Sequence, residues 1–171
     1  MKMLSLALTL KFYHNILIFT MLELAHVLTG GVIAYSLKNP ALSLPLAFAS
    51  HFALDLLPHW NPHLSREKKK YGRISFKTTL FVIADCLTGL ALGLFLAFKT
   101  LPDTNRMIYV ILGCFFGALP DFLEAPYYFL NIKSQVIKKL VSFQSGHQSN
   151  VPVFQGLFIQ AVYVYLLLWL V

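Results

Sequence analysis

"SHFALDLLPHW", Ser50 to Trp60, spaces His51, Asp55 and His59 four residues apart in otherwise apolar surroundings. On a helix each four-residue step drifts by only about 40°, so the three side chains form one stripe. Pro58 stops the helix close to His59, and the Asn61-Pro62 pair beyond it signals a loop. The stretch therefore reads as the polar end of an apolar helix, and the rest of the chain decides what that helix is embedded in.

The rest of the chain is built for lipid. Of 171 residues, 57% are hydrophobic and 12% charged, with mean hydropathy +0.67, outside the range of a water-soluble domain. At this length about four to six helical spans fit, with no sizeable domain outside the membrane. Cys86 and Cys114 lie in apolar stretches without CxxC spacing and read as small buried apolar residues. The net charge of +7 comes from bases beside apolar runs. That pattern points to membrane topology and lipid headgroups, with no nucleic-acid partner expected.

Gly, Pro, Asn and Lys clusters divide the chain into apolar runs near 22–37, 41–58, 76–98, 107–130 and 152–171. The last three are each long enough to cross about 30 Å of hydrocarbon, and the first two are marginal. Without sustained strand alternation, the expected fold is all-α: one integral membrane bundle over 1–171 with about five transmembrane helices. Residues 4–20 are apolar but interrupted by Lys11, His14 and Asn15, and are expected to extend the first span or lie at the interface as a helix. If the runs alternate across the membrane, eleven of the fourteen basic residues fall on one side, including those of "REKKKYGR" and "KSQVIKK". The positive-inside bias then makes this a multi-pass protein of the cytoplasmic membrane with its N-terminus inside. "REKKK" is expected to be a solvated loop touching anionic lipid.

The same alternation brings the intramembrane polar residues to a common depth. His26 starts the first run, His51, Asp55 and His59 end the second, and Asp85 lies two to three turns into the third. Asp121 and Glu124 fall in the inner part of the fourth, and His147 precedes the fifth. An Asp left in hydrocarbon costs about 2.5–3.5 kcal/mol on insertion scales, so several together need shared cations or waters. A divalent metal would neutralise the carboxylates and take neutral imidazoles as ligands. Mixed His and Asp donors suit zinc, and also manganese or iron. His63 reads as a solvated loop residue, and Glu23 and Glu67 as interface and loop charges.

"AHVLTGG" (25–31), "SHFALDLLPH" (50–59) and "GALPDFLEAP" (117–126) together resemble the signatures of small multi-pass membrane-bound metal-dependent hydrolases. The His51-x-x-x-Asp55 pair is more distantly similar to zinc-dependent phospholipase C, an all-helical enzyme that cleaves phospholipid phosphodiesters. The resemblance implies that His26, His51, Asp55 and Asp121 are metal ligands, with His147 standing where a later histidine segment falls. The function expected is hydrolysis of a phosphoester of a lipid or isoprenoid at the cytoplasmic leaflet. Asp85 or Glu124 would accept the proton and His59 serve as ligand or leaving-group acid, while Lys68, Lys69 and Lys70 gather anionic headgroups. The alternatives are a carrier of metal ions or protons and a non-catalytic scaffold whose metal only ties helices together. The sequence specifies no oligomeric state.

Overall fold

The computed structural model describes residues 23–147 and 151–171. These form seven helices in the order α1 (Glu23–Leu37), α2 (Pro40–Asp55), α3 (Leu64–Tyr71), α4 (Phe76–Phe98), α5 (Thr104–Phe129), α6 (Gln135–His147) and α7 (Val153–Trp169). No strand occurs among the described residues, so the chain is all-α as expected. The anticipated N-terminal extension lies outside them.

Helix α1 is the centre of the assembly. Ten of its fifteen residues are buried, from Glu23 to Ala34, and α2, α4, α5 and α7 all pack against it. Its most extensive partner is α5, and glycine explains why. A Cβ built on Gly30 would lie 2.1 Å from the carbonyl oxygen of Gly113, and one on Gly117 would lie 2.3 Å from that of His26. The two backbones touch, as small residues at a helix interface permit. Val27, Leu28, Val32, Leu96, Val110 and Ala118 fill the space around that seam.

Several helices have a local reason for their bounds. Asn39 caps α2, its side chain accepting from the Ala41 N–H at 3.0 Å, and Pro40 takes the first helical position. Ser43, Ala47, His51 and Asp55 then recur every fourth residue as the buried stripe of α2. Ser75 caps α4 and Asp103 caps α5 through the N–H groups of Thr78 and Arg106. The αL residue Gly72 closes α3.

Two of the described helices, α4 and α5, are long and apolar enough to cross a membrane. The run at 152–171 was expected to reach that length, but α7 has seventeen residues and spans only about 26 Å. α1 and α2 are shorter still, as their runs suggested. On α4 only Gly89, Gly93, Leu96 and Ala97 are buried, which leaves Leu80, Ile83, Leu87, Leu90 and Phe95 exposed along its length. An apolar face of that extent is suited to contact with hydrocarbon. The "REKKK" segment departs from the solvated loop anticipated for it: it is the body of α3. Lys68 on α3 donates to the Tyr128 carbonyl at 3.0 Å and to Asn131, and the Ser65 and Tyr128 hydroxyls are 2.6 Å apart, so α3 is fastened to the end of α5.

Candidate metal centre

Helices α1, α2 and α5 bring His26, His51, Asp55 and Asp121 into one cluster. His51 Nε2 lies 3.4 Å from Asp121 Oδ1 and 3.7 Å from Asp55 Oδ2, and His26 Nε2 lies 3.7 Å from Asp55 Oδ1. The two imidazoles stack with ring centres 3.9 Å apart. One ligand atom from each of His26, His51 and Asp121 falls within 4.8 Å of the others. His26 and Asp55 are almost wholly buried, and His51 is completely so.

The hydrogen bonding of His51 determines which nitrogen faces the cluster. Its Nδ1 lies 2.9 Å from the Gly117 carbonyl oxygen, which can only accept, so Nδ1 carries the proton. In the neutral ring the Nε2 lone pair is then directed at Asp55 and Asp121, the tautomer that a metal ligand requires. His59 is held in the same way, its Nδ1 donating to the Leu57 carbonyl at 2.8 Å. His26 Nδ1 is buried and has no hydrogen-bond partner among the described residues. Imidazole nitrogens and carboxylate oxygens within a few ångströms of one another make a donor set that fits a divalent cation.

The cluster opens on a cavity of about 430 Å³. Its walls include Glu23, Asp85, Asp121 and Glu124, and toward α3 it is edged by His63, Arg66 and Lys69. The cavity thus has an acidic, imidazole-bearing floor and a cationic rim. Burial, with the charge of Arg66 adding to it, lowers the pKa of His63, so this rim residue is neutral except in acid.

Several expectations change on contact with the structure. His59 reaches the cavity from the segment after α2, four residues beyond the last helical position, and so does not continue the helical stripe. Asp85 accepts hydrogen bonds from the backbone N–H groups of Glu23 and Leu24. It thereby caps the start of α1 from a neighbouring helix while also lining the cavity. Glu124 Oε1 is buried without a hydrogen-bond partner among the described residues, while its side chain is also hydrogen-bonded to Tyr128. Glu23, read as an interface charge, lines the cavity, as does His63 from the loop expected for it, and so does Cys86, whose stretch reads as buried and apolar. Cys114 does sit in the apolar core, and both cysteines are free. His147 ends α6, and its side chain falls outside the described part of the structure.

Gln144 of α6 gave no signal in the sequence. Its Nε2 is 3.0 Å from His51 Nε2 and 3.1 Å from Asp121 Oδ1, and the side chain is fully buried. A neutral amide on a basic, amphipathic helix is ordinary by composition, and only the docking of α6 brings it to the cluster. Of the three lysines expected to gather headgroups, Lys69 borders the cavity, Lys68 is engaged with α5, and Lys70 lies 5.0 Å above the Tyr71 ring. Comparison with family models, curated proteins and solved structures finds no match to this chain.

Proposed function

We propose that the protein is a membrane-embedded, metal-dependent hydrolase acting on a phosphoester of a lipid or isoprenoid at the cytoplasmic leaflet. The observation that carries this reading is the convergence of His26, His51, Asp55 and Asp121 at the floor of a cavity whose rim is cationic. In this reading α1, α2 and α7 join α4 and α5 to complete a five-span bundle, with α3 lying along the cytoplasmic surface. The likeness of the three sequence motifs to membrane-bound metal-dependent hydrolases supports the same assignment.

His26, His51, Asp55 and Asp121 hold the metal, zinc being the first choice for such donors, with manganese or iron also suited. A divalent ion held by these residues would supply Lewis acidity toward a water and a phosphoryl oxygen. The Gly117 carbonyl holds the His51 ring in its ligating tautomer. Glu124 accepts the proton released at the cavity floor, and the Tyr128 and Ser65 hydroxyls keep its side chain oriented. Arg66 and Lys69 attract an anionic headgroup to the rim, and His59 faces the same cavity as a further donor. The apolar flank of α4 gives a lipid tail somewhere to lie.

The test is elemental analysis of the purified protein in detergent, coupled to hydrolysis of a generic phosphodiester and of a lipid phosphate. Stoichiometric metal in the wild type is expected, with His51→Ala and Asp121→Asn losing both metal and at least about 100-fold in turnover. Ion flux into liposomes without any hydrolysis would show a carrier instead, and a stable metal-free wild type would show neither.

A further inference from the structure

Five carboxylates line the cavity: Glu23, Asp55, Asp85, Asp121 and Glu124. Asp85 is neutralised in part by the two backbone N–H groups it accepts from α1. The other four, with His26, His51 and His59, are more donors than one four-coordinate cation takes.

Glu23 indicates where a second ion would lie. Its carboxyl group meets that of Asp121. Glu23 is 8% exposed, and its Oε1 is buried with no hydrogen-bond partner among the described residues. Asp121 therefore meets His51 on one side, at 3.4 Å, and Glu23 on the other. Two further donors face the same cavity: the unpartnered Glu124 Oε1, and His59 with its Nε2 lone pair presented. Glu23 and His26 are also three residues apart on α1, so one helix turn offers a carboxylate and an imidazole to the same space. Helical bundles that bind two metals through carboxylates use this Glu-x-x-His spacing.

We propose that the centre is dinuclear, with Glu23 a ligand of the second cation and Asp121 shared between the two. This rests on the metal reading above but goes beyond it, because a single ion held by His26, His51, Asp55 and Asp121 would leave Glu23 unused.

Chelator-treated full-length protein in detergent is titrated with Mn(II), and bound metal per chain is measured together with the electron paramagnetic resonance spectrum. Two ions per chain and an exchange-coupled spectrum are expected. Glu23→Gln, which keeps the size and a hydrogen bond to Asp121, should bind one ion and give the six-line signal of an isolated Mn(II). Glu23→Asp should restore the second ion at about tenfold weaker affinity, which separates a ligand from a residue needed only for folding. One ion in the wild type overturns the dinuclear centre and leaves a mononuclear hydrolase standing, and two ions retained in Glu23→Gln overturn Glu23 as a ligand of the second cation. No Mn(II) bound to the wild type overturns both.

Discussion

Where α1 meets α5 at Gly30, Gly113 and Gly117 the two backbones are in contact, while less than two turns away, at Glu23 and Asp121, the same helices border a cavity of about 430 Å³. One region gains stability by excluding every side-chain atom from the seam. The other gathers carboxylates and imidazoles that oppose assembly unless something neutralises them. The two regions are mechanically joined, since Gly117 touches the His26 backbone and its carbonyl also holds the His51 ring. A packed seam can thus set ligand positions to within a fraction of an ångström, the tolerance that site chemistry demands.

The largest effect expected from disturbing this arrangement is at the seam. Gly30→Ala puts a methyl group 2.1 Å from the Gly113 oxygen, and both neighbours are backbone that cannot rotate away. It should destabilise the protein by about 3 kcal/mol or more and lower metal content although no ligand is altered. Thermal unfolding in detergent with elemental analysis measures both. Gly89→Ala is the control: its nearest contact is 3.3 Å from Leu24 Cα, and the loss should stay below about 1 kcal/mol. If the two variants behave alike, the contrast between rigid seam and open cavity fails.

A smaller effect belongs to the rim. Lys69→Gln removes a charge from the cavity mouth without touching the floor. KM for an anionic lipid phosphate in mixed micelles should rise about fivefold, the equivalent of about 1 kcal/mol per basic residue near a charged surface. Metal content should not change, and the difference should shrink as salt is raised. A fall in kcat at unchanged KM would place Lys69 in the chemistry instead of at the approach.

The smallest effect lies farthest from the floor, at the turn between α3 and α4. Burial alone would raise the Glu67 carboxyl pKa, but hydrogen bonds from Ser75 and Thr78 outweigh it and lower the value, among them the Ser75 N–H at 3.1 Å. A lowered folded-state pKa contributes stability above the ordinary glutamate range, which is lost as pH falls through the folded-state value. Unfolding midpoints of wild type and Glu67→Gln should therefore differ slightly at neutral pH and converge in acid. A difference that grows on acidification would reverse the sign.

How far the sequence could be read depended on how local each feature is. The run at 76–98 coincides with α4, and the runs at 22–37 and 107–130 match α1 and α5 to within three residues at either end, because hydropathy and capping are local. The pairing of His51 with Asp55 was legible for the same reason: positions i and i+4 of a helix face one way whatever surrounds it. α3 was missed because charge was taken for a loop, although Lys, Arg and Glu are good helix formers and Gly72 supplies a stop. His59 lies beyond the end of α2, close to the stop that Pro58 signals in the sequence. Asp85 as a cap for α1, Gln144 against His51, and Glu23 against Asp121 join residues that local pattern cannot connect.

By itself, then, the amino-acid order determined an all-helical, strongly apolar chain and the chemical types of the residues that cluster. Those properties follow from periodicity, composition and short-range sterics, which each segment carries independently. Which carboxylate caps a backbone, which meets an imidazole and which is left unpartnered was decided only when α1, α2, α4, α5 and α6 packed. Such roles depend on distances of 3–4 Å between separate helices, and it is the glycine contacts of α1 with α5 that bring two of those helices so near.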